Sequence, residues 1–114
     1  MVLLFNQMKF NRSILFESLI GLLFCVVFFI HPVGGIFVLD CVASGAIWVD
    51  MLDLGVDVLL TAPQKGWSAS PCSGLVMLSE RARTRIDQTD AASYVCDLKK
   101  WLAVMETYEN GGHA

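Results

Sequence analysis

Charge is scarce in this 114-residue sequence, and positive charge is not in excess. Charged residues make up 17% of the chain, against the roughly 25% of an average soluble domain. The net charge is −3, and no basic stripe is interleaved with aromatic residues, so the sequence argues against nucleic acid as a partner. The hydrophobic share is 55%, against roughly 45–50% in typical domains, and most of the excess lies in residues 1–39.

The sequence also lacks the spacing of a metal site and any internal repeat. No two cysteines form a CxxC pair, and His31 and His113 have no partner at ligand spacing. Because zinc sites need closely grouped ligands, a zinc site is not expected, and neither histidine receives a role. An even number of cysteines could still form disulfides, so the sequence spacing alone leaves the state of the thiols open.

A lysine that follows an apolar run is the most informative local feature of the chain. Residues 58–60 are apolar without alternation, which predicts a buried strand, and Lys65 follows in the next loop. Open α/β sheets bind ligands at the carboxyl ends of their strands, where a lysine held out of water can attack a carbonyl and form a Schiff base. Lysines in loops are more often solvated surface charges, so the position alone leaves both interpretations open.

A carboxylate upstream strengthens the chemical interpretation. Residues 35–40 read as another buried strand that ends in Asp40, and residues 47–54 read as a short helix that leads to the next strand. This strand–helix–strand pattern predicts a right-handed parallel crossover, with Asp40 and Lys65 at the ends of neighbouring strands. Pyridoxal phosphate chemistry uses such a pair, because the lysine holds the cofactor and the aspartate keeps the pyridine nitrogen protonated.

Residues 31–114 resemble the class V (fold type I) pyridoxal-phosphate-dependent aminotransferases of the serine–pyruvate and alanine–glyoxylate type. Three segments carry the resemblance in the order and spacing of that family: VGGIFVLDCVAS at residues 33–44, LGVDVLLTAPQKGW at 54–67, and SPCSGLVMLSERA at 70–82. The match covers a central slice of a much longer family. It implies an α/β fold, here a fragment of the large domain, with mostly parallel strands and crossover helices.

The resemblance also implies roles for individual residues. Lys65 matches the Schiff-base lysine, Gln64 matches a contact to the cofactor phosphate, and Asp40 matches the aspartate beneath the pyridine nitrogen. Ser44 would line the cofactor pocket, although a turn or cap hydroxyl is an equally good interpretation of that residue. The implied cofactor is pyridoxal 5'-phosphate, and the implied substrates are a small amino acid such as alanine or serine and a 2-oxo acid such as glyoxylate or pyruvate.

The departures from the family define the alternatives. The family's phosphate-binding turn, its ring-stacking aromatic residue and its substrate-binding arginine have no counterpart in this sequence. Because catalysis needs a complete, preorganised constellation, the chain could equally be an inactive remnant of such an enzyme. Family members are homodimers, so a full-length relative could also supply the remainder in trans. Since the family is intracellular, the resemblance favours free thiols at Cys41 and Cys72.

Residues 1–30 do not resemble the family and form a separate hydrophobic segment. Lys9 and Arg12 precede an uncharged run over residues 18–30. Residues 13–30 approach the roughly 20 residues of a membrane span, with Glu17 as an interruption, and no clear signal-peptide cleavage site follows. The segment is therefore expected to be either an uncleaved anchor with a cytoplasmic N-terminus or an accidental leader; the protein would be membrane-associated if the segment inserts and cytoplasmic otherwise.

The remaining sequence predicts two helices. A polar helix should begin after Ser79 as N-cap and run to about residue 89, and a second should span residues 98–108. The apolar stripe of the second helix is expected to face a core; its members are Leu98, Trp101, Leu102 and Met105. For Trp67, next to the lysine loop, packing against that loop is the favoured role.

Overall fold

A computed structural model describes residues 21–23 and 25–113 of the chain. The described residues form two compact units that divide between Ser79 and Glu80. The first contains a three-stranded sheet and the second contains two helices. The predicted α/β class is confirmed at this level.

The sheet of the first unit is mixed. Its strands are β1 (Val38–Asp40), β2 (Val58–Thr61) and β3 (Leu75–Leu78), in the spatial order β1-β2-β3. β1 and β2 are parallel, as the predicted crossover requires, whereas β2 and β3 are antiparallel. The expectation of mostly parallel strands is therefore met by only one of the two strand pairs.

The predicted helix over residues 47–54 is wrong, because none of these residues is helical and residues 51–55 form a turn. One carboxylate oxygen of Asp50 accepts hydrogen bonds from the backbone N–H groups of Leu52 at 3.0 Å and Asp53 at 3.1 Å. An aspartate side chain that bonds nearby backbone in this way competes with helix formation. Gly55, with φ of +64°, then reverses the chain towards β2, in a conformation that a glycine adopts at little cost.

The core of the first unit is small. Cys41, Val56 and Leu59 are buried together. The predicted burial of the first strand is wrong, since Val38 is 51% exposed and only Leu39 of β1 is half-buried. A sheet of three strands has two edge strands and depends on further layers to cover both of its faces. The described residues therefore cover the apolar side chains of β1 only in part.

Part of the hydrophobic N-terminal segment can be followed. Residues 21–23 and 25–30 are helical and lead into the 3₁₀ turn His31–Val33. This helix packs near the turn before β2, since a Cβ placed on Gly55 would lie 2.7 Å from Cγ1 of Val27. Half of the predicted membrane segment over residues 13–30, namely residues 13–20 and 24, lies outside the described residues. Within 21–23 and 25–113, no helix combines the length and the apolar character needed to cross a membrane.

The two predicted helices of the second unit are confirmed as α1 (Glu80–Asp87) and α2 (Leu98–Glu109). Asp97 caps the N-terminus of α2, because its carboxylate accepts from the backbone N–H groups of Lys99 at 3.1 Å and Lys100 at 3.4 Å. The side chains of Arg83 and Glu106 form an ion pair between the two helices.

The apolar stripe of α2 is less buried than predicted. Leu98 and Leu102 are half-buried, but Trp101 is 50% exposed and Met105 is more exposed still. The indole N–H of Trp101 donates to the carbonyl oxygen of Val95 at 2.7 Å. Two helices with one facing stripe can bury only the residues at their line of contact, which accounts for the exposed outer half of the stripe.

Candidate functional site

Two loops meet at the carboxyl ends of the parallel strands. Asp40 is the last residue of β1 and is followed by residues 41–47, here called the β1 loop. Thr61 ends β2 and is followed by residues 62–69, the β2 loop, which contains Lys65. Because β1 and β2 are parallel neighbours, Asp40 and Lys65 emerge at the same edge of the sheet, as the sequence predicts.

The loops approach each other so closely that each needs a glycine. The indole N–H of Trp67 donates to the carbonyl oxygen of Gly45 at 2.6 Å. A Cβ placed on Gly66 would lie 2.8 Å from the backbone nitrogens of Gly45 and Ala46. A Cβ on Gly45 would lie 2.5 Å from Nε1 of Trp67 and 2.6 Å from Oγ1 of Thr61. A side chain at either glycine would therefore force the loops apart.

Buried hydrogen bonds attach the β1 loop to β2. The backbone N–H of Cys41 donates to the carbonyl oxygen of Leu60 at 2.7 Å, which continues the strand pairing one residue beyond β1. The buried hydroxyl of Thr61 donates to the carbonyl oxygen of Cys41 at 3.1 Å. Cys41, at the start of the β1 loop, thus donates one hydrogen bond to β2 and accepts another from it.

The β2 loop is a tight turn around the lysine. The backbone N–H of Ser68 donates to the carbonyl oxygen of Lys65 at 3.0 Å, and that of Ala69 donates to the carbonyl oxygen of Pro63 at 2.9 Å. Ser68 has φ of +53°, in the left-handed region that residues with a side chain rarely adopt. Such strained backbone persists only where surrounding contacts enforce it, and it is concentrated at functional sites.

The two principal predicted site residues are exposed and have unused hydrogen-bonding capacity. Oδ1 of Asp40 accepts from the backbone N–H of Val42 at 2.9 Å, and Oδ2 forms no hydrogen bond with the described residues. Nζ of Lys65 forms neither a hydrogen bond nor an ion pair with any described residue. Of the two interpretations that the sequence left open, a lysine held out of water and a solvated one, the described residues show the solvated one, because they place no layer over the β2 loop.

Gln64 and Ser44 occupy the same two loops. Gln64 is exposed, and its side chain forms no hydrogen bond within the described part of the chain. Ser44 is half-buried, and its carbonyl oxygen accepts from the backbone N–H of Ile47 at 2.8 Å. Ser44 is thus a turn residue by its backbone, while among the described residues its hydroxyl has no partner.

The donor set fits pyridoxal phosphate in part. Lys65 offers an amine for the aldehyde, and Asp40 offers a carboxylate for the pyridine nitrogen, both at one edge of the sheet. A phosphate group needs several donors. Besides the Trp67 indole, which already donates to the Gly45 carbonyl oxygen, and the Lys65 amine, the side chains of the two loops offer the Gln64 amide and the hydroxyls of Ser44 and Ser68. The two loops thus supply both groups that the ring and the aldehyde of the cofactor need, but only a few side-chain donors for its phosphate.

Asp57 forms a second polar cluster that our sequence reasoning missed. It is 3% exposed at the amino end of β2. Its Oδ2 accepts from the backbone N–H of Phe37 at 2.8 Å and lies 2.9 Å from Nε2 of His31, while the hydroxyl of Ser79 donates to Oδ1 at 3.2 Å. The available signal was a charged residue between Val56 and the apolar run over residues 58–60, because a carboxylate buried beside such a run requires partners.

The second unit has an open pocket of about 160 Å³, and two of its charged lining residues already have hydrogen-bond partners. Asp97 caps α2, and Nζ of Lys99 donates to the carbonyl oxygen of Asp87 at 3.1 Å. Over residues 21–23 and 25–113, no group of three or more metal-ligating side chains is present. All four cysteines are free thiols, of which only Cys41 is buried.

No protein-family model matches this chain, and no curated protein matches it at a significant level. The aminotransferase resemblance therefore rests on the three sequence segments over residues 33–44, 54–67 and 70–82.

Proposed function

We propose that this chain is a partial domain of a pyridoxal-phosphate-dependent aminotransferase, in which Lys65 binds the cofactor and Asp40 holds its pyridine nitrogen. The observation that carries the proposal is the apposition of the β1 and β2 loops at the carboxyl ends of two parallel strands. It gives the amine and the carboxylate a common edge, and both keep free hydrogen-bonding capacity there.

When bound, pyridoxal phosphate supplies an electron sink that allows an amino group to pass between a small amino acid and a 2-oxo acid. The residues of this chain would do the remaining work. The Lys65 amine would move the proton at the substrate α-carbon, since it lies in a loop with no competing ion pair among the described residues. The Asp40 carboxylate would accept a hydrogen bond from the pyridine nitrogen, and the Gln64 amide would donate to the phosphate.

A catalytically inactive remnant is the second candidate, and specific observations favour it. Lys65 is open to water, the loops offer few phosphate donors, and side chains of all three strands remain partly uncovered. Completion of the site in trans by a full-length relative is a separate, third possibility. This arrangement is consistent with the homodimeric organisation implied by the family resemblance.

Reductive labelling of the full chain separates these candidates. The protein is titrated with pyridoxal phosphate, reduced with borohydride, and mapped for phosphopyridoxyl-lysine by mass spectrometry of its peptides. We expect stoichiometric label on Lys65 that is lost in Lys65→Ala and retained in Lys99→Ala, which removes another exposed lysine. Weak label spread over several lysines and unchanged in Lys65→Ala would establish the remnant instead.

The role of Asp40 is tested by its own pair of variants. Asp40→Ala should weaken cofactor retention before reduction, because the pyridine nitrogen loses its acceptor. Asp53→Ala is the matched control, since it removes an exposed carboxylate from the connection between β1 and β2. Equal retention in the two variants would remove Asp40 from the proposed site.

A further inference from the structure

Trp67 connects two segments that are distant in the chain, although its side chain is 49% exposed. Its indole N–H donates to the carbonyl oxygen of Gly45 at 2.6 Å, and these residues are 22 positions apart in the chain. By contrast, Trp48 is 91% exposed, and its indole has no hydrogen-bond partner among the described residues. Exposure alone therefore does not explain the geometry of Trp67.

The Trp67 bond connects the two loops that carry the proposed cofactor residues. Trp67 lies two positions after Lys65, and Gly45 lies five positions after Asp40. The adjacent Gly66 backbone packs so closely on the β1 loop that an added Cβ would lie 2.8 Å from two of its backbone nitrogens. The strained Ser68 follows immediately, with φ of +53°. Strain of this kind requires a contact that enforces it, and the indole bond is adjacent to it.

We infer that Trp67 is a positioning residue that fixes Lys65 relative to Asp40 by holding the β2 loop against the β1 loop. The chemical purpose of this positioning rests on the proposed function, whereas the contact between the loops does not. Loss of the indole N–H leaves the glycine contact as the remaining restraint between these loop tips, so the amine samples a wider range of positions.

The variant test removes the N–H and keeps an aromatic ring. Trp67→Phe is compared with Trp101→Phe, which removes an indole donor to the Val95 carbonyl oxygen at a similar distance, 2.7 Å, in the other unit. Hydrogen exchange should accelerate roughly fivefold at the amides of Ser68 and Ala69 in Trp67→Phe and remain unchanged there in Trp101→Phe. The ratio of pyridoxal phosphate label on Lys65 to label on Lys99 should fall by a similar factor only in Trp67→Phe.

A measurement on the unaltered protein covers the case in which Trp67→Phe does not fold. In ¹H–¹⁵N spectra of the full chain, the indole N–H of Trp67 should exchange with solvent more slowly than that of Trp48. Equal exchange of the two indoles would overturn the inference, because a persistent bond to Gly45 must protect its proton.

The outcomes separate the inference from the proposed function. Label on Lys65 in the unaltered protein, with label and exchange both unchanged in Trp67→Phe, overturns the positioning role and leaves the proposed function standing. Absence of selective label in the unaltered protein overturns the proposed function. In that case hydrogen exchange in the loops is the only test of the inference. Faster exchange in Trp67→Phe supports Trp67 as the residue that positions Lys65, and unchanged exchange overturns that role.

Discussion

Polar residues at the two ends of the β1–β2 strand pair differ in burial and in hydrogen bonding. At the amino end, Asp57 is 3% exposed and engages a backbone N–H, a hydroxyl and an imidazole. At the carboxyl end, Asp40 and Lys65 are exposed, and most of their hydrogen-bonding capacity is free within the described residues. The Asp57 carboxylate thus stabilises the fold, whereas the Asp40 carboxylate remains available to a ligand.

The means of attachment differ in the same way. The amino end is held by bonds to the Asp57 side chain, whereas the carboxyl end is held by backbone contacts at Gly45 and Gly66 and by the Trp67 indole. Contacts of the second kind fix the loops without using the amine or the carboxylate. A binding site needs this separation, because a group that already has a strong partner must lose it before it can bind a ligand.

The largest stability effect is expected at the amino end. Asp57→Ala should lower the free energy of unfolding by about 3 kcal/mol, because it leaves several buried or half-buried donors without their acceptor. Urea denaturation followed by circular dichroism measures the change. Asp53→Ala, an exposed carboxylate, should shift the midpoint little, and equal effects in both variants would show that Asp57 does not anchor this end.

The contact between the loops is probed by adding one methyl group. Gly66→Ala should cost about 2 kcal/mol, since its Cβ would lie 2.8 Å from backbone nitrogens that cannot rotate away. Gly74→Ala is the control, because no atom lies within 4 Å of the position that its Cβ would occupy. Unfolding curves that coincide for the two variants would mean that the loops are not in close contact in solution.

A smaller effect is expected where the β1 loop joins β2. Thr61→Val keeps the side-chain shape but removes the hydroxyl bond to the Cys41 carbonyl oxygen, at a cost of about 1 kcal/mol. Thr84→Val removes an exposed hydroxyl bond within α1 and should cost less, since water can replace the lost donor. The difference between the variants in denaturant midpoint is the relevant measurement, and a larger loss in Thr84→Val would contradict it.

The features that sequence predicts well here are those with a local cause. The apolar run over residues 58–60 gives β2 closely, the amphipathic pattern gives α2, and the parallel connection brings Asp40 and Lys65 to one edge. Each of these depends on residues a few positions apart or on the rule that parallel strands end at the same edge.

Most of the features that the sequence does not predict depend on partners that are distant in the chain. The buried state of Asp57 depends on His31, 26 positions away, and the role of Trp67 depends on Gly45, 22 positions away. The helix predicted over residues 47–54 does not form for a local reason, because the Asp50 carboxylate accepts hydrogen bonds from the backbone N–H groups of the next residues in the chain. The exposure of Lys65 depends on which layers cover the loop, and an apolar strand pattern does not specify them.

The smallest effect is expected at the proposed site itself, and it is the sharpest test of the contrast between the two ends. Lys65→Ala should change the free energy of unfolding by less than about 0.5 kcal/mol, because the side chain is exposed and bonds no described residue. Asp40→Ala should also be close to neutral, since it loses only an exposed bond to the Val42 N–H. Both variants should nevertheless lose cofactor label or retention, which separates chemistry from stability. A loss of stability in Lys65→Ala comparable to that in Asp57→Ala would make the lysine a structural residue and remove the difference between the two ends of β2.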